Sequence, residues 1–239
     1  MKIGVITDVH NNVVALQAVL QHFEQEQIDG IICCGDIIGI GTYPEETVQA
    51  VMKIPNMLAC VCGNHDRFMS EGYDVENTSA GEIAHHEWEH SLLSEESKDF
   101  IAGLPRSQTL TILGHTIHVT HYGMDENGRY TGLPTFGEIS DMREVFKREN
   151  SKVNVDVILH GHNHLVYIIH IDRWYINPGS LGCPGSDKNI AKAVILHVNE
   201  NNISFENVRV AYDVTKTLAD MDKFNYPEKD FIKKIFYGV

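Results

Sequence analysis

The sequence predicts an α/β protein of two packed mixed sheets with helices outside. Three observations predict it. The opening third alternates short apolar runs with amphipathic stretches, the later part reads as hairpins, and many apolar runs stop at an aspartate, asparagine or histidine. Short apolar runs rich in Val and Ile read as buried strands. Helical stretches between successive runs imply parallel strands joined by right-handed crossovers. Both patterns in one chain call for two packed sheets.

The elements follow in order. KIGVIT is a strand that leads to Asp8. In the next stretch Leu16, Val19, Leu20 and Phe23 recur at helical spacing, with Asn11 or Asn12 as the N-cap. IICCG leads to Asp36, and PEETVQAVMK opens with a proline and two acids, which suits a helix start. MLACVCG leads to Asn64. Two helices are expected over 79–103, the first with a Ser79–Glu82 capping box, the second capped by Ser94 and stopped by Gly103 and Pro105. TLTIL and TIHVT form a hairpin that turns at Gly114-His115 and leads to His121. Thr135 to Glu138 caps a helix that runs to about Glu149, and VDVILHG is a strand leading to His162. VYIIHI and WYINPG make a second hairpin, AKAVILHV and NISFENVRV two late strands, and a single helix closes the chain.

The bulk numbers bound the function. A chain of 239 residues can bury a sizeable core without disulfides or structural metal, and one domain over 1–239 is expected, with a helical cap-like insert at about 67–104. Nineteen basic against 33 acidic residues leave a net charge of −14, which argues against nucleic acid or an anionic membrane as partner. No run approaches the roughly 20 apolar residues of a membrane span. The N-terminal run is too short for a signal-peptide core. The five cysteines, Cys33, Cys34, Cys60, Cys62 and the lone Cys183, have no CxxC zinc spacing; four read as small residues in buried strands, and the pattern fits a reducing, cytoplasmic setting. The oligomeric state is left open.

The chemistry gathers where the strands end. In open α/β sheets ligands bind beyond the carboxyl ends of the strands. Five separate runs exit at Asp8 with His10, at Asp36, at Asn64, at His121, and at the pair His162 and His164. If the strands are neighbours, these side chains converge. Two buried carboxylates close together cannot both stay ionised without a counter-charge, whereas a metal ion binds carboxylate and neutral imidazole together. Seven side chains exceed one ion's needs, and Asp36 has two oxygens with which to bridge a pair. The mixed oxygen and nitrogen donors suit Mn, Fe, Zn or Ni better than Ca or Mg.

These residues resemble a known family. Asp8-Val9-His10, Gly35-Asp36, Gly63-Asn64-His65-Asp66, His121 and Gly161-His162-Asn163-His164 stand in the order and spacing of the calcineurin-like metallophosphoesterases, and Asn177-Pro178-Gly179-Ser180-Leu181-Gly182 extends the likeness to bacterial and archaeal phosphodiesterase members. The resemblance implies a four-layer α/β/β/α sandwich and a small phosphorylated substrate as the partner. It implies one metal on Asp8, His10, Asp36 and His164, and a second on Asp36, Asn64, His121 and His162. His65 would face the leaving group, oriented by Asp36 or Asp66. In the chemistry that follows, a metal-bridging hydroxide attacks phosphorus in line, Asn64 helps stabilise the charge, and His65 donates the proton.

The protein phosphatases of the superfamily carry an arginine soon after the bridging aspartate. Here Asp36 is followed by Ile37, Ile38 and Gly39, which favours a phosphodiester over a dianionic monoester. The alternatives are a dinucleoside polyphosphate hydrolase, a phosphomonoester or protein phosphatase and, more remotely, a non-catalytic scaffold. His160 reads as a core histidine or a support for the ligands. His85, His86 and His90 read as surface or cap packing around Trp88, although His86 and His90, four apart, could share a helix face and reach a metal.

Overall fold

The computed structural model describes residues 1–73, 78–131, 142–152, 154–224 and 226–239. The first sheet holds β1 (Lys2–Ile6), β2 (Gly30–Cys33), β3 (Met57–Cys60), β9 (Ile190–Asn199) and β10 (Asn202–Ala211), in the order β10-β9-β1-β2-β3. The second holds β4 (Ser107–Ile112), β5 (His115–Thr120), β6 (Val157–Leu159), β7 (Val166–His170) and β8 (Trp174–Pro178), in the order β4-β5-β6-β8-β7. Both sheets are mixed. The strands that lead to candidate ligands pair in parallel: β1 with β2, β2 with β3, and β5 with β6. Their carboxyl ends therefore lie at one edge of each sheet.

Alternation along the strands makes the layers. On β1, Ile3 and Val5 point into the space between the sheets, where they pack with Ile32, Val119, Leu159, Ile176 and Leu196. Ile6 points outward with Cys33, Ala193 and Ile195 and meets Leu16, Val19 and Phe23 of α1 (Val13–Gln25) and Val48 and Val51 of α2 (Pro44–Met52). Gly4 is dictated by this contact, since a Cβ there would run into the Phe23 ring. On the far side, Ile158 and Tyr175 pack against Met142, Val145 and Phe146 near the short helices α6 (Met142–Val145) and α7 (Lys147–Lys152). The result is the helix–sheet–sheet–helix sandwich.

Between β3 and β4 run α3 (Asn64–Glu71), α4 (Ala80–Leu92) and α5 (Glu95–Ala102). Ser79 and Ser94 cap α4 and α5 as expected. Only half of the capping box forms: the Ser79 hydroxyl accepts from the Glu82 N–H at 3.1 Å, while the Glu82 carboxylate turns towards His86. The first hairpin turns at Leu113-Gly114, one residue earlier than expected, because those two residues take the positive φ values, 49° and 88°, that a two-residue turn requires. His115 then opens β5. The closing helix is in fact two, α8 (Val214–Lys223) and α9 (Lys229–Phe236). The expected cap at Thr135 to Glu138 lies outside the described residues. Among the described residues no helix is long and apolar enough to cross a membrane.

Asn12 joins the first layer to the site. Its Oδ1 accepts from the Ala15 N–H at 3.1 Å as the N-cap of α1, and its amide donates to the Gly182 carbonyl at 3.0 Å and the Tyr212 hydroxyl at 3.3 Å. The expected cost of Asn12→Ala is about 2 kcal/mol, a lost cap plus an unpaired buried carbonyl. Urea unfolding checks this, and Asn12→Ser, which keeps a capping oxygen, should recover part of the loss.

Candidate metal centre

The loops that leave β1 and β2 are bonded to each other. The Asp8 N–H donates to the Gly35 carbonyl at 2.9 Å, His10 to Asp36 at 3.0 Å and Asn11 to Ile37 at 3.0 Å. The segment after β8 closes the same loop from the other side: the Leu181 N–H donates to the Thr7 carbonyl and the Gly182 N–H to Asp8, while the Ser180 hydroxyl donates to the Asp8 carbonyl at 2.9 Å. The Asn177 amide donates to the Gly161 carbonyl at 2.9 Å and to Asn163 Oδ1 at 2.8 Å. Asn177-Pro178-Gly179-Ser180 is thus a turn that braces the loops carrying Asp8 and His162.

The seven predicted ligands do converge. Asp36 Oδ2 lies 3.2 Å from His121 Nε2 and 3.9 Å from His10 Nε2. Asp8 Oδ1 lies 3.4 Å from His164 Nε2 and 3.7 Å from His10 Nε2. His10 and His164 bring their Nε2 atoms within 3.0 Å of each other. His162 Nδ1 faces Asn64 Oδ1 at 2.9 Å, and the His121 and His162 rings are 5.3 Å apart.

The backbone is bent to achieve this. Asp8, His10, Asp36, His162 and His164 all have positive φ, between 48° and 79°. Apart from glycine, aspartate, asparagine and histidine tolerate that region best. Two glycines make room: a Cβ at Gly63 would overlap the Asp36 carboxylate, and one at Gly161 would overlap Thr7 Oγ1 and Asp8 Oδ2.

The inward-facing ring nitrogens point to an occupant. His121 Nδ1 is hydrogen-bonded to the Cys34 carbonyl at 2.8 Å and His10 Nδ1 to the Ile38 carbonyl at 3.2 Å, which leaves each Nε2 turned to the centre. A backbone carbonyl on the outer nitrogen is the usual support of a metal-binding histidine. His121 Nε2 is buried and faces the Asp36 carboxylate. Burial works against the charge on Asp8 and Asp36, yet the imidazoles overcome it: His164 and His10 hold Asp8, and His121 holds Asp36, below the usual carboxylate range. Against its own burial His121 is pushed up to about 10 by Asp36. A crowded set of carboxylate and imidazole donors, kept together by protons, fits divalent transition metal ions. Groups within ligand reach include Asp36, His121 and His162, and also His10, Asp36 and His65. Cys183 lies within the same reach of His10 and His164, but burial pushes its thiol well up, against thiolate formation.

His65 stands at the start of α3, its ring 5.2 Å from that of His10. Burial pulls it down to about 3, so the imidazole is neutral. Neither expected partner orients the ring. Asp36 Oδ1 accepts from the His65 backbone N–H at 2.9 Å, and both oxygens of Asp66 accept from backbone N–H groups, Oδ1 from Ile37 and Ile38 and Oδ2 from Gly63. Asp66 sets the loop after β2. His160 is fully buried among Tyr122, Phe146 and Tyr167 and is a core residue.

Three features escaped sequence reasoning. Tyr130 lies stacked on His162, with ring centroids 5.2 Å apart. Arg67 has its guanidinium 5.5 Å above the Tyr130 ring and is paired with Glu71 at 2.7 Å. His85 and His86 are buried rather than at the surface, and the His86 ring is 5.1 Å from that of His65. The one signal for His86 was its spacing from Glu82 and His90. Two cavities lie beside the centre. One of about 380 Å³ is lined by Asn64, Arg67, Tyr73 and Tyr130, and one of about 290 Å³ by His65, Glu82, His86, Phe231 and Phe236. A larger cavity near Gln17 and Lys53 contains none of the candidate ligands.

A family model described as the calcineurin-like phosphoesterase superfamily domain matches residues 1–201. An uncharacterized protein of Methanocaldococcus jannaschii is 30% identical over 244 residues, covering 95% of this chain and 94% of its own. A metallophosphoesterase from Sphaerobacter thermophilus superposes with a TM-score of 0.73 at 23% identity, covering 100% of this chain and 99% of that one. A hypothetical protein from Pyrococcus horikoshii superposes with a TM-score of 0.82 at 19% identity, covering 100% and 98%. The structural likenesses establish the fold; the family match establishes kinship with metal-dependent phosphoesterases. The chain belongs to the calcineurin-like phosphoesterase superfamily.

Proposed function

We propose that this protein is a dinuclear-metal phosphoesterase that cleaves small phosphodiesters. The observation that carries the reading is the shared carboxylate. Asp36 stands between two donor sets: Asp8, His10 and His164 on one side, Asn64, His121 and His162 on the other. One ion would be held by Asp8, His10, Asp36 and His164, the other by Asp36, Asn64, His121 and His162. When bound, such a pair supplies positive charge opposite phosphoryl oxygens and lowers the pKa of water.

The chain's own residues complete the site. Asn64 turns its carbonyl to His162, which leaves its amide N–H for a phosphoryl oxygen. The neutral His65 keeps one N–H, which we assign to the departing oxygen. The diester preference is supported by the two cavities, one lined by Asn64 and the other by its chain neighbour His65, which offer separate places to the two substituents of the phosphate.

Asp36→Asn and His162→Ala should each lose metal from the paired centre and activity together. His65→Ala should keep both ions of the pair and lose about 100- to 10,000-fold in kcat. Elemental analysis beside an activity assay checks both, and an unchanged rate in His65→Ala contradicts its assignment. Among bis-p-nitrophenyl phosphate, p-nitrophenyl phosphate and a diadenosine polyphosphate, the first should show the highest kcat/KM; a monoester preference contradicts the diester reading, and no turnover of any phosphoester contradicts the enzyme.

Metal loading should also release protons. His121 is charged in the metal-free protein up to about pH 10 and must be neutral as a ligand. Apparent affinity should therefore rise with pH through the neutral range. Titration calorimetry at pH 8 in buffers of different ionisation enthalpy should show a buffer-dependent heat.

A further inference from the structure

We propose that the wall of the smaller cavity holds a third cation, bound by His65, Glu82 and His86. Ligand atoms of these three residues lie within 4.8 Å of one another. Glu82 and His86 are four apart on α4 and share one face of it.

His86 carries the argument. It is fully buried, and its Nε2 has no hydrogen-bond partner. Its Nδ1 is held by Glu89 Oε1 at 2.5 Å, and Glu89 is itself fixed by the Asn11 amide at 2.6 Å and the Gly39 N–H at 2.8 Å. A carboxylate on one ring nitrogen with the other left free is the arrangement that supports a histidine on a metal. Glu82 Oε1 lies 3.9 Å from His86 Nε2, too far for a hydrogen bond but within the span of two zinc–ligand bonds of about 2.0–2.2 Å each. The buried Nδ1 of His65 likewise has no partner.

The surroundings favour a cation. The cavity is lined by two carboxylates, Glu82 and Glu228, and by no lysine or arginine among the described residues. Two imidazoles and a carboxylate with an open fourth position suit Zn²⁺. A second group on the same helix, His86, Glu89 and His90, also comes within ligand reach. It is the poorer choice, because Glu89 is already bonded to Asn11, Gly39 and His86, and His90 Nδ1 contacts the Tyr73 hydroxyl at 3.4 Å. The binding does not rest on the phosphoesterase reading, since Glu82 and His86 belong to neither candidate set of the pair.

The test is a zinc count on the full-length protein after equilibrium dialysis. The wild type should hold three equivalents, Glu82→Gln and His86→Ala two each, and His90→Ala three. Asp36→Asn should retain one. Glu82 is half-exposed, so Glu82→Gln folds even where loss of His86 disturbs the Glu89 pair. A wild-type count of two, or a count that Glu82→Gln leaves unchanged, overturns the third site. A count that Asp36→Asn leaves unchanged overturns the paired centre instead, which keeps the two failures distinct.

Discussion

Two carboxylates buried side by side are the constraint on which the rest of this structure depends. Asp8 and Asp36 leave adjacent parallel strands at the same edge of the first sheet, and neither is open to water. Like charges in such a place need an opposite charge close by. The groups drawn up to them are imidazoles: His10 and His164 against Asp8, His10 and His121 against Asp36. To bring those rings inward, five residues sit on left-handed backbone, a conformation that costs of order 1–3 kcal/mol where the surroundings do not enforce it. Enforcement comes from the loop-to-loop hydrogen bonds and from glycines that let the carboxylates press against main chain.

The sandwich is what offsets this local cost. Its apolar layers lie between the sheets and beneath the helices. Parallel pairing of β1 with β2 and of β5 with β6 places the exits in register without a long connection inside the core. Asn12, Asn177 and Ser180 then tie the exits to one another through buried hydrogen bonds. A rigid frame holding a strained, polar centre is the division expected when stability and chemistry reside in different places.

Much of this was legible in the sequence, and the limits are physical. Strand exits could be read because an apolar run that stops at Asp8, Asp36 or His121 combines a local period with a chemically unusual terminus. Helix caps at Ser79 and Ser94 could be read because capping is local. Tyr130 could not be read: its stacking on His162 joins residues 130 and 162 through the packing of the second sheet, and no sequence interval predicts that. His86 was misread for a similar reason. Its helix is amphipathic on either assignment, and only the packing of Glu89 on Asn11 and Gly39 decides that the histidine face turns inward. The role of Asp66 was misjudged because its spacing beside His65 suggests a side-chain contact, whereas its oxygens are taken by three backbone N–H groups.

The most direct test of the central claim is anomalous diffraction from crystals of the full-length protein soaked in Mn²⁺. The account predicts two strong peaks on either side of the Asp36 carboxylate, one against Asp8, His10 and His164 and the other against Asn64, His121 and His162. Peaks elsewhere with none at Asp36, or a single ion that leaves His121 and His162 unligated, would contradict it.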